Sequence, residues 1–351
     1  MSAGRNTLPL RPAGRLDTLI HPQVTGMNST RWANAARSPE FSSFVILCAL
    51  VALFVAGNPA FLSPLNISNL LAFLPELGII ALAMTLLLTA GEFDLSVGAV
   101  FALCPVMIAL LIQNLGLDFS LAVILGFLAA VLIGLINGIL VTKVGISSFL
   151  VTLSMLFVVR GAALYITQGF PLKSMEVDHF IVDLLSSNFY IGPFRVYASL
   201  WWFIGLTLLA IYTLNLSKAG NWITAIGSNR SAAVARGVPA DAVKIWLFVV
   251  TSVASGLAGL ISALRISSAS PVAGTGYELE VIAMVVVGGT ALTGGRGTIL
   301  GTLVGIFMLR AIRNGIVLIG VPGLAFNIFV GAIILGMLVL HAVLQRGRGR
   351  G

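Results

Sequence analysis

Apolar residues run along this chain in long blocks, and none of the blocks alternates with a period of two. Blocks of roughly 17–25 apolar residues are the length that carries a helix across hydrocarbon. Without alternation they cannot be barrel strands, and helices are the other structure that satisfies its own backbone in lipid. The pattern predicts about ten spans, at 41–57, 70–90, 97–112, 121–141, 148–167, 197–216, 245–266, 279–292, 299–312 and 324–344. An even count returns both ends to one side, and arginines at both ends place that side in the cytoplasm. The expected architecture is an all-α polytopic membrane protein of about ten transmembrane helices, some broken or re-entrant, both termini cytoplasmic. The transmembrane domain covers 41–345, between a disordered basic cytoplasmic tail at 1–40 and a short basic one at 346–351.

Polar breaks carry the remaining information. The longest is the segment 217–244, where Lys218, Arg230, Arg236 and Lys244 face a single acid, Asp241. The charge bias predicts a cytoplasmic loop. Asn229 can cap a short helix, SAAVAR, which ends at Gly237-Val238-Pro239. A small Ala-faced helix on a basic loop suits docking into a groove on another protein; a plain positive-inside loop is the competing reading. On the other side, 168–196 is a periplasmic segment. In it Val177, Phe180, Ile181, Leu184 and Leu185 fall at helical spacing, which predicts an amphipathic helix with Glu176 and Asp183 on its polar side.

Two shorter breaks match each other. Residues 91–98 read GEFDLSVG and residues 288–295 read GGTALTGG, both fitting G-x-x-x-L-[ST]-x-G. Matched interruptions point to an internal repeat around a central path, which makes Glu92, Asp94, Ser96, Gly288, Gly289 and Thr293 candidates for the translocation path. Coincidence in a chain of 38 glycines is the alternative. An offset of six helices also disagrees with inversion. Asp94 could instead cap the third span, and Glu92 could simply reach water. Glu76 and Arg160 are taken as the other two charges within spans. Both lie roughly 10 Å deep at 1.5 Å per residue, so they are a candidate intramembrane pair. The alternatives are Glu76 on a helix-start dipole after Pro75, and Arg160 snorkelling.

Composition narrows the chemistry. Only 9% of residues are charged and 58% are hydrophobic, with mean hydropathy +1.05, so the bilayer is the solvent. The net charge of +8 sits mainly in tails and loops, which argues for orientation and against nucleic acid. Cys48 and Cys104 fall in apolar runs, and the three histidines lack ligand spacing, so no metal site is expected. There is no G-x-x-x-x-G-K-[ST], hence no nucleotide cradle in this chain, and no catalytic constellation. The chain carries something or opens something. A self-sufficient secondary transporter or channel is possible, with only Glu76, Glu92 and Asp94 to build an ion site.

Three stretches, GEFDLSVGA, IGSNRSAAVARGV and SSASPVAGTGYELEVIAMVVVGGTALTGGRGTILGTLVG, resemble in order the ribose-type permeases of bacterial ABC importers. The resemblance covers about 41–344; the arginine-rich tail is longer than that family carries. It implies a permease subunit in the bacterial inner membrane, paired with a second permease as homodimer or heterodimer. It also implies a cytoplasmic tandem ATPase, a periplasmic sugar-binding protein, a monosaccharide substrate and no cofactor bound by this chain. The family's ATPase-coupling pattern, G-x-N-x-x-A-A-x-x-x-G-[IV], lands on Gly227, Asn229, Ala232, Ala233, Gly237 and Val238, with Arg236 where a serine often sits.

Overall fold

The computed structural model describes residues 39–173 and 178–322, together with 325, 328, 329, 331, 332, 335 and 336. Residues 1–38 of the N-terminal tail, the C-terminal tail, Glu176 and most of the tenth expected span lie outside them, while Pro39 and Glu40, expected in the tail, open the first helix. The helices are α1 (Pro39–Gly57), α2 (Pro64–Thr89), α3 (Val97–Leu115), α4 (Phe119–Ile139, prolonged by a π turn, Leu140–Val144) and α5 (Ser148–Thr167). After them come α6 (Phe180–Ser186), α7 (Ala198–Leu216), α8 (Lys218–Ser228), α9 (Arg230–Ala235), α10 (Ala240–Ile266), α11 (Tyr277–Val287) and α12 (Ile299–Leu318). Among the described residues seven helices are long and apolar enough to cross a membrane: α2, α3, α4 with its π turn, α5, α7, α10 and α12. The polytopic helical architecture therefore stands.

Two helices form the centre. α10 lies along α2, α3 and α4, and α2 also meets α7, α11 and α12. Within their most apolar stretches 83% of α2 is buried but only 22% of α5, so α5 sits on the rim with Phe149, Leu150 and Phe157 exposed. The centre packs closely because small residues let backbones approach. Gly134 and Gly138 of α4 lie against the α10 backbone at Phe248-Val249 and at Ile245. Gly259 of α10 lies on the carbonyl of Phe101, whose usual helical donor is lost at Pro105.

Three features differ from the sequence expectation. The chain is not purely helical: β1 (Leu172–Lys173) pairs antiparallel with β4 (Ser268–Ala269), and β2 (Asn188–Ile191) forms a hairpin with β3 (Phe194–Tyr197). The hairpin fills the rest of the segment after the expected helix, which is α6, seven residues long with His179 as its cap and Leu185 as its buried contact. The expected eighth span is an eleven-residue helix, α11. At 1.5 Å per residue it reaches roughly 16 Å, about half the hydrocarbon thickness. The non-helical run 270–276 precedes it, and left-handed glycines at 289, 294 and 295 turn the chain after it.

Candidate functional site: a glycine junction and the buried charges

The basic loop is built as two helices sharing one residue. Asn229 ends α8 by donating its N–H to the Ala225 carbonyl (3.0 Å) and starts α9 by accepting the Ala232 N–H on Oδ1 (3.0 Å). Gly237, at φ +83°, then turns the chain so that Val238 N–H reaches the Ala233 carbonyl at 3.1 Å. Asp241 accepts Arg230 at 2.7 Å and Lys143 at 2.8 Å, which ties the loop to the end of α4. The helix, its cap and its exit are as expected, but the two alanines differ, one buried and one exposed. Ala233 is 3% exposed and packs with Ile226 and Ala240, whereas Ala232, Val234 and Arg236 are exposed. Neighbouring residues on a helix of 3.6 residues per turn lie about 100° apart, so adjacent alanines cannot share one face.

The two matched breaks and this loop meet. Gly295 N–H donates to the Thr89 carbonyl at 2.9 Å, Gly294 lies against Gly91, and Gly227 sits on Thr89 and Gly295 so closely that a Cβ would overlap both. Behind the contact Thr85 and Thr302 share a hydrogen bond of 2.7 Å between α2 and α12. α2 and α11 both enter this junction by their C-terminal ends.

The path candidates divide at this junction. Glu92 accepts Lys244 of α10 at 2.5 Å and borders an open cleft of about 470 Å³ with Arg230, Ser147 and Ser148. Asp94 is fully buried and accepts the Ser96 N–H (2.7 Å) and hydroxyl (2.6 Å), with Asn137 of α4 closing on both. It therefore fixes its own turn, and α3 has no side-chain cap. Gly288 is packed on the Gly301 backbone, Gly289 is left-handed, and Thr293 is exposed at the turn.

Glu76 and Arg160 do not pair. Glu76, 2% exposed, takes Arg265 from the last turn of α10, whose guanidinium also lies over the Phe73 ring at 4.0 Å. Arg160 instead donates to the carbonyls of Pro271 and Ala273 (2.7 Å each) and of Gly98 (2.8 Å). The run 270–276 has no helical ladder, so its buried carbonyls need a donor, and a guanidinium on the facing helix supplies several N–H groups at once. Counting Glu76 and Arg160 as the remaining span charges also missed Arg265, Glu280 and Arg310. All three fall inside the expected spans, so the signal was present as plain charges within apolar runs.

The family described as branched-chain amino acid transport system / permease component matches residues 66–338. The chain belongs to this permease family. Among the permease's relatives, the ribose import permease protein RbsC of Bacillus subtilis is 37% identical over 306 residues, 87% of this chain and 92% of that one. RbsC of Escherichia coli K12 is 33% identical over 316 residues, covering 90% and 97%. The L-arabinose ABC transporter permease protein AraH of Azospirillum brasilense is 34% identical over 319 residues, 91% of each chain. No solved structure matches the permease. These relatives are sugar import permeases, so the ribose-type resemblance holds within a family described by amino-acid transport.

Proposed function

We propose that this chain is the membrane-spanning subunit of an ABC importer that moves a monosaccharide (a pentose, hexose or related polyol) across the bacterial inner membrane by alternating access. In this reading it has ten spans with both termini in the cytoplasm and pairs with a second permease copy or a close partner. It leaves ATP to a tandem ATPase seated on α8 and α9. A periplasmic binding protein delivers sugar to the opposite end, where Asp183 is exposed on α6. The observation that carries the reading is the placement of Gly227. The short basic helices carrying exposed Ala232, Val234 and Arg236 rest directly on the turns that end α2 and precede α12. A push on those helices is thereby delivered to the central bundle. The substrate class is supported by the ribose and L-arabinose named for the relatives.

The test is uptake of labelled ribose, arabinose and xylose into proteoliposomes containing the chain, its tandem ATPase and its binding protein. Uptake of one sugar that requires ATP and the binding protein is the expected result. Flux without ATP would overturn the reading in favour of a secondary transporter or channel. ATP-dependent uptake of an amino acid and of no sugar would overturn the substrate class.

A further inference from the structure

The densest set of charges outside the glycine junction lies in the opposite half, among α2, α10, α11 and α12. Glu76 on α2 is taken by Arg265 of α10, and Glu280 on α11 is reached by Arg313 of α12 at 3.5 Å. One helical turn before Arg313 stands Arg310, 5% exposed, within electrostatic reach of Glu76, Tyr277 and Glu280. Its Nε and Nη2 are buried and have no acceptor. Among the described residues of this quarter, Arg265 and Arg313 each hold a carboxylate while Arg310 makes no ion pair.

A buried cation without an acceptor is an unfavourable arrangement unless another state of the molecule gives it one. The acid nearest to changing hands is Glu76. It sits beside Pro75, where α2 loses a hydrogen bond and can bend. Its present partner, Arg265, is carried by α10, which runs unbroken from the basic loop. At the loop end α10 holds Asp241, bound to Arg230 and Lys143, and Lys244, bound to Glu92. A rod fixed to the loop at one end and to Glu76 at the other must move that ion pair whenever the loop moves.

We propose that Arg310 is a positioning residue of the transport cycle. When α10 shifts, Glu76 passes from Arg265 to Arg310, so that α2 is held to α10 in one state and to α12 in the other. The inference rests on the reading that an ATPase moves the loop. Two interchangeable guanidiniums give two discrete arrangements of α2.

The experiment compares the thermal stability of the purified permease–ATPase complex in two states, nucleotide-free and vanadate-trapped. The variants are Arg265→Met and Arg310→Met, each also made with Glu76→Gln. Arg265→Met is expected to lower the midpoint of one state only, and Arg310→Met to lower the other only. Both effects should vanish when Glu76 is glutamine. Transport by Arg310→Met should fall at least tenfold in maximal rate with the sugar dependence unchanged.

Equal shifts in both states would overturn the handover, as would state dependence that survives Glu76→Gln. Where Arg265→Met does not assemble, the Arg310→Met pair with and without Glu76→Gln decides alone. A wild-type chain that never assembles with the ATPase removes the coupling reading and the handover together. A wild type that traps with vanadate but takes up no sugar removes only the substrate class.

Discussion

Replacing Arg160 with methionine keeps an unbranched apolar stem and removes the donors to the Gly98, Pro271 and Ala273 carbonyls. Hydrogen bonds to a charged group are worth about 1.5–3 kcal/mol each in water-soluble proteins. Within helical membrane proteins, side-chain hydrogen bonds between helices average nearer 0.6 kcal/mol, because the unfolded chain finds other partners. Three bonds thus bracket the loss between about 2 and about 9 kcal/mol, and dehydrating the arginine itself cancels part of the upper figure. We expect a cost of about 2–5 kcal/mol, with Arg160→Lys falling between methionine and wild type, since an ammonium cannot present the same planar fork.

The assay is reversible unfolding of the purified chain in mixed micelles, with protection of residues 270–276 from hydrogen exchange as a local readout. The local effect should exceed the global one, because those carbonyls have no helical donors to fall back on. A methionine variant as stable and as protected as wild type would refute the reasoning. It would mean that water already satisfies those carbonyls and that Arg160 only rests there.

Gly227→Val should leave membrane insertion intact and abolish transport, because its side chain would force the Thr89 and Gly295 backbones apart; uptake with normal protein levels in the membrane checks this. Ala232→Glu, on the exposed face of α9, should weaken binding of the ATPase without changing the stability of the isolated chain. Ala233→Glu should lower that stability by several kcal/mol by burying an acid, so melting and pull-down separate the two. Asp118 accepts the Ser120 N–H at 2.9 Å at the start of α4, and that bond holds its carboxyl below the usual range. Its support for the α4 start is complete above the ordinary aspartate pKa and disappears as pH falls through the lowered value. Asp118→Asn, which keeps an acceptor, should flatten that acid limb of a stability–pH curve.

Much of the architecture was legible because lipid imposes a simple rule on sequence. The starts of α3, α5 and α7 fell within a residue of expectation, and Asn229 announced α9 by its chemistry alone. The site was less legible for three reasons. Equal depth allowed Glu76 and Arg160 to pair but could not reveal that α10, arriving 189 residues later in the chain, ends beside Glu76. The expected eighth span ran on to residue 292, yet the helix stops at Val287 and Gly289 takes a left-handed backbone just after it. The matched breaks could be seen as similar but not as touching, since contact between Gly91 and Gly294 depends on how whole helices pack.

The shortness of α11 also bears on how the chain is made. An eleven-residue apolar helix preceded by bare backbone carries too little hydrophobicity to enter a bilayer as an independent unit. Its carbonyl partners, however, are supplied from α5, and its neighbour Gly98 belongs to α3, both synthesised well before residue 270 leaves the ribosome. The earlier helices thus form a prepared berth into which this segment is received. Chains truncated just after α11 and released from the ribosome should hold it in the membrane when Arg160 is present and leave it in water when Arg160 is methionine.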